Sequence, residues 1–183
     1  MNMKRLGVGL GMVFILAVVF ETAEAKSFKS EESGSYVTQG TPIDTDGDGR
    51  TANLVLLSGK DHILGDITTQ TVVEWSRFLP ATCPNGNAGF VASLVSGGFV
   101  TRTAKGDLLF GTFLTGGTNC FDPITNSSSQ SMSGSFTGGT GKFAGRVGGT
   151  LVINSTSRGL VSGVPPEIEF GSVVSHTEGN MPE

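Results

Sequence analysis

Glycine interrupts this chain at almost every turn of the sequence, and that limits what it can fold into. There are 28 glycines among 183 residues, with Thr, Ser and Val crowded between them. An interior glycine weakens a helix by about 1 kcal/mol. β-Branched side chains lose rotamer freedom in a helix and fit a pleated surface. No long stretch keeps a 3.6-residue period, so the chain reads as short strands joined by tight turns. Disorder is the other fate of a glycine-rich chain, but the 12 Phe are spread along it and supply a core.

Short apolar runs broken by Gly, Pro, Asn and Asp begin at Tyr36. Residues 52–58 predict a strand. Residues 62–79 predict a long strand or two, bent near Gly65 and Asp66. Residues 89–95 and 99–103 read as a hairpin around Ser96-Gly-Gly98. Further strands are expected over 108–115, 131–137, 148–155 and 168–175. Strands at this spacing predict an all-β fold, an antiparallel barrel or sandwich with little helix. An eight-stranded barrel is just wide enough to hold a small ligand or to fill itself with side chains.

The N-terminus sets the expected compartment. Lys4 and Arg5 precede an uncharged apolar run from Leu6 to Phe20, and Ala23-Glu24-Ala25 follows. That is the layout of a secretory signal over residues 1–25, too short for the roughly 20 apolar residues of a membrane span. The mature chain is expected to be secreted or periplasmic, with no membrane span. Residues 26–35 (KSFKSEESGS) are polar and predict a flexible lead-in, leaving residues 36–183 as one domain. A net charge of −4 with scattered basic residues offers no footprint for nucleic acid. Cys83 and Cys120 are the two cysteines and should pair in an oxidising compartment. A catalytic thiol is the alternative, with neither a C-x-x-C pair nor more than two His to support it.

The run from Gly134 to Val152 (GSFTGGTGKFAGRVGGTLV) is the most distinctive. It lacks the spacing of a P-loop or a dinucleotide fingerprint. Its glycines predict tight turns and close strand approach, with Phe143 plugging the core. Phe136-Thr-Gly-Gly-Thr-Gly-Lys-Phe-Ala-Gly-Arg-Val-Gly-Gly-Thr150 resembles the glycine-rich segment of the allene oxide cyclase-like and dirigent β-barrel superfamily. Segments 83–90 and 119–123 are similar to exported bacterial proteins with this barrel. The resemblance implies an eight-stranded barrel, often trimeric, around a mostly apolar cavity. One branch folds a reactive lipid-derived epoxide there, and the other orients phenolic radicals without a redox centre of its own. Arg146 departs from the small residue usual at its place. No catalytic residue of either branch carries over.

Few residues suggest chemistry. Asp44, Asp46 and Asp48 alternate in a Gly-rich loop and form a weak Ca²⁺ candidate, since alternate carboxylates can wrap one hard cation. The EF-hand's twelfth position is Val55, however, and a solvated turn is the alternative. No other cofactor is expected. Glu74, beside Trp75, is a weak catalytic candidate: an acid inside a barrel would have the raised pKa that general acid–base work needs. The zincin and α/β-hydrolase motifs are absent. Three functions stay open: a barrel that binds or orients a small apolar molecule, a cyclase or isomerase, and a structural protein with a filled barrel. The interior separates them.

Overall fold

The computed structural model describes residues 26–164 and 168–182, so the expected signal peptide lies outside the described residues. Ten strands follow in order: β1 (Lys26–Gly40), β2 (Asn53–Asp61), β3 (Gly65–Trp75), β4 (Leu79–Thr82), β5 (Ala88–Thr103), β6 (Leu108–Phe113), β7 (Thr118–Asp122), β8 (Ser127–Gly139), β9 (Gly148–Val164) and β10 (Ile168–Met181). A 3₁₀ turn, Gly141–Phe143, joins β8 to β9. All pairings are antiparallel.

The sheet runs β3-β2-β1-β10-β9-β8-β6-β5, and β5 pairs back onto β3. β6 and β7 share one place in this ring, since each pairs with a different half of β5 and of β8. β4 continues the line of β3 along β5. The result is a closed antiparallel eight-stranded barrel, which leaves no long unpaired edge.

Two expectations about strands need correction. Residues 26–35 are not a loose lead-in. They belong to β1, which pairs from Lys26 to Gln39 with β10 and from Glu32 to Gly40 with β2. Ser96-Gly-Gly98 is not a hairpin turn but the middle of the continuous β5. A Cβ on Gly97 would meet Val72 O at 2.9 Å, and one on Gly98 would meet Gly111 O at 3.0 Å. These glycines let the neighbouring strands close in on both sides of β5. The glycine run behaves as expected: Gly141, Gly145, Gly148 and Gly149 take φ between +56° and +88°, and Phe143 is buried.

The core lies against one side of the barrel. Val73, Trp75, Leu94, Phe99, Leu109, Phe113, Met132, Phe136, Phe143 and Leu151 form one buried cluster. Phe99 sits 5.4 Å from Phe113 and 6.5 Å from Phe136 between ring centroids, the latter edge to face. Full burial of a side chain such as Leu151 contributes about 2 kcal/mol. Cys83 and Cys120 form a disulfide with their Cα atoms 5.6 Å apart, tying the β4–β5 loop to β7.

Candidate functional site

The barrel is not filled. A cavity of about 1180 Å³ occupies its interior. The period of two along each strand decides what lines it. Phe99, Phe113, Phe136 and Leu151 face it from β5, β6, β8 and β9. Ser30 and Glu32 face it from β1, Asp61 from β2, and Ser175 and Thr177 from β10. Apolar and polar side chains are mixed around it: β1, β2 and β10 also bring Phe28, Val55 and Val173, and β5, β8 and β9 bring Thr101, Gln130 and Ser157. β1 and β6 lie four places apart either way round the ring, so Glu32 on β1 and Phe113 on β6 come from opposite sides of the barrel.

The acidic pair on β1 and β2 is the centre of interest. Glu32 and Asp61 are directly opposed cross-strand partners, an arrangement that places their Cβ atoms about 4.5–5.5 Å apart. Asp61 is buried and well supplied with donors. The backbone N–H groups of Ile63 and Leu64 each donate to its Oδ1 at 2.7 Å, and the Ser30 hydroxyl donates to Oδ2. These bonds also fix the β2–β3 turn, whose Ile63 and Leu64 line the cavity. Glu32 has no such support: its Oε1 is buried without a hydrogen-bond partner. Burial first, then the Asp61 charge, pushes the Glu32 carboxyl up to about 7. Asn119, on β7, places a second buried and unpartnered oxygen, Oδ1, in a residue lining the same cavity.

Glu74 is elsewhere. Val73 and Trp75 line the cavity, so Glu74 between them points to the outer face of β3. It is nonetheless 1% exposed, because the loop between β1 and β2 covers it. Thr45 N–H donates to both its oxygens at 3.0 and 3.2 Å, the Thr45 hydroxyl donates to Oε2, and Ser96 Oγ donates to Oε2 at 3.2 Å. The Thr45 hydroxyl is the main reason its pKa is lowered. The expected interior acid with a raised pKa is therefore Glu32 and not Glu74. Glu74 instead fastens the loop to the wall.

Asp44, Asp46 and Asp48 converge in that loop, their oxygens within 4.8 Å of one another, and all three are exposed. They cap their own turn: Gly47 N–H and Gly49 N–H donate to Asp44, Asp48 N–H to Asp46, and Arg50 N–H to Asp48. His62 and His176 sit on the outside, where Glu31 N–H donates to His62 Nδ1 at 2.9 Å and His176 lies 4.0 Å from Glu31. Asp122, which the sequence did not single out, is buried beside the disulfide. Asn87 and Asn85 Nδ2 donate to it at 2.7 and 2.8 Å, and the Thr125 hydroxyl at 2.8 Å. These donors, Asn87 foremost, lower its pKa.

The signal for Glu32 was present but unread. Phe28, Ser30, Glu32, Gly34 and Tyr36 occupy alternate positions of one strand face, ending on the buried Tyr36. Because most of that face is polar, it resembles a loop in sequence.

No protein family matches the sequence, and no curated protein matches it. Among solved structures, the pterocarpan synthase dirigent protein GePTS1 is similar to this chain over 90% of each, with 10% identity and a TM-score of 0.23. A likeness that slight has no bearing on function, and the site must be read from its own residues.

Proposed function

We propose that this protein is a container: its barrel takes up a small, largely apolar molecule and holds it in one orientation. One observation carries the reading, the cavity of about 1180 Å³ lined by aromatic rings together with a few carboxyl and amide groups. Ligand pockets are mostly apolar, with a few placed polar groups that fix orientation. Phe99, Phe113 and Phe136 supply contact area, and Glu32, Asp61 and Asn119 supply direction. The Cys83–Cys120 bridge is compatible with an extracellular or periplasmic place, and among the described residues no helix is long and apolar enough to cross a membrane.

The test is titration with a neutral apolar fluorophore such as N-phenyl-1-naphthylamine. Saturable binding at one site per chain is expected. Thr71→Trp, which fills space from a lining position on β3, should weaken it about tenfold or more in a protein that still melts cooperatively. A signal that never saturates, or that ignores the substitution, contradicts the reading.

A second reading, a cyclase or isomerase, is favoured by Glu32 alone. A carboxyl near neutrality at the wall of an apolar cavity is what general acid–base chemistry uses. Incubation with a host extract separates the two: a container forms a stoichiometric complex, whereas an enzyme consumes a compound in excess of itself.

A further inference from the structure

We propose that the Glu32–Asp61 pair is a recognition point for a protonated amine, so that the molecule taken up carries an ammonium group on an apolar body. This rests on the container reading and adds the chemistry of the ligand's polar end.

The pair is a poor arrangement for stability alone. Like charges directly opposed across two strands destabilise a sheet, and a carboxyl removed from water needs a partner. Asp61 draws its donors from Ser30, Ile63 and Leu64. Glu32 Oε1 has none. The ion pairs of the described residues, Lys29–Glu178, Lys60–Asp66 and His176–Glu31, reach neither carboxyl. Neither carboxyl of the pair therefore has a countercharge in contact.

An ammonium group supplies what is missing. It brings one positive charge and three N–H donors, and charge-assisted bonds to carboxylate are about twice as strong as neutral ones. The other unpartnered buried oxygen lining the cavity, Asn119 Oδ1, is also an acceptor, in a residue 7% exposed. Both orphaned oxygens call for a ligand that donates. The apolar body has the ring faces of Phe28, Phe99 and Phe136 to lie against, and aromatic faces also attract cations.

The sign of the pH dependence distinguishes this ligand from a neutral one. An ammonium binds the carboxylate form of Glu32, so its affinity rises with pH through the range where Glu32 loses its proton. A carbonyl or ether would accept from the protonated form, and its affinity would fall. The groups around Glu32 allow a clean measurement. Asp61 faces it from β2, and its β10 partner Ser175 and the adjacent inward Val173 and Thr177 do not titrate. Glu31 and His176 are on the outer face. Lys26, Lys29, Lys142 and Arg146 also border the cavity; Lys29 is engaged by Glu178, and Arg146 donates to Pro182 O.

The experiment is displacement of the same neutral fluorophore by decylamine, decan-1-ol and decanoate at pH 8 and pH 5.5. At pH 8 the amine should displace at roughly tenfold lower concentration than the alcohol, with decanoate weakest. The amine's advantage should shrink toward parity at pH 5.5, and Glu32→Gln should bring the amine-to-alcohol ratio close to one at both pH values. If that variant does not fold, the two pH values on the unaltered protein decide. An alcohol or carboxylate that competes as well as the amine at pH 8 overturns the proposal while leaving the container reading intact. So does an amine preference that is equal at both pH values. If fluorophore and alkyl compounds all fail to bind, both readings fall together.

Discussion

Asp122, Glu74 and Glu32 have related side chains and meet different fates inside the same fold. Two amides, a hydroxyl and backbone N–H groups converge on Asp122, and Thr45 and Ser96 converge on Glu74. Both carboxyls have their pKa lowered. They stabilise the fold above the ordinary carboxylate range, and that contribution is lost as pH falls through their folded pKa values. Glu32 works in the opposite sense. Its pKa is raised from 4.5 to about 7, so the folded chain holds a proton that the unfolded chain releases. Its contribution is complete below the unfolded value and is lost as pH rises through about 7. The shift corresponds to roughly 3 kcal/mol between those limits. The melting temperature should therefore peak near pH 5 and decline toward pH 8, and Glu32→Gln should flatten the decline on the neutral side. Calorimetry across that range checks it; a wild-type protein equally stable at pH 5 and pH 8 contradicts the assignment.

At the scale of elements, β1 shows what a sequence hides. β2, β3, β6, β8, β9 and β10 start within four residues of where alternation and β-branched runs predict them, but β9 runs nine residues and β10 six residues beyond the predicted ends at Ser155 and Ser175. β1 was legible only from Tyr36, because its first ten residues turn Ser30, Glu32 and Gly34 inward. Polar groups facing a cavity have no apolar periodicity to give them away. The candidate site was hidden for the same reason, since a wall that handles a ligand's polar end must itself be polar. Glu74 misled because Trp75 beside it is the inward residue, and a period of two sends its neighbour out. β5 was divided because paired glycines commonly mark turns, whereas here they admit close neighbours. β1 also closes the ring between β10 and β2. Removing residues 26–35 should accordingly abolish cooperative melting or lower the melting temperature by more than 10 °C, as the loss of several kcal/mol of pairing and burial would. A truncated protein that melts like the chain that keeps residues 26–35 would return that segment to the status of a loose lead-in.

At the scale of the whole molecule, closure and asymmetry work together. Closing the ring pairs the sheet edges, and the disulfide fixes β7 against the β4–β5 loop with a loop of 37 residues, worth about 4 kcal/mol in the chain-entropy account. The glycine run lets β8 turn sharply into β9 and drives Phe143 into one end of the core. Closure leaves a cavity lined by aromatic rings and a few placed polar groups, and that lining gives the molecule its proposed role. The account depends on Glu32 lying inside the barrel beside Asp61. Its most direct test is the pH titration of the Glu32 side-chain carboxyl by ¹³C NMR, assigned with Glu32→Gln. A midpoint near 7 is predicted. A midpoint near 4.5, the ordinary value for an exposed glutamate, would place Glu32 in water and remove the carboxyl on which the proposed site is built.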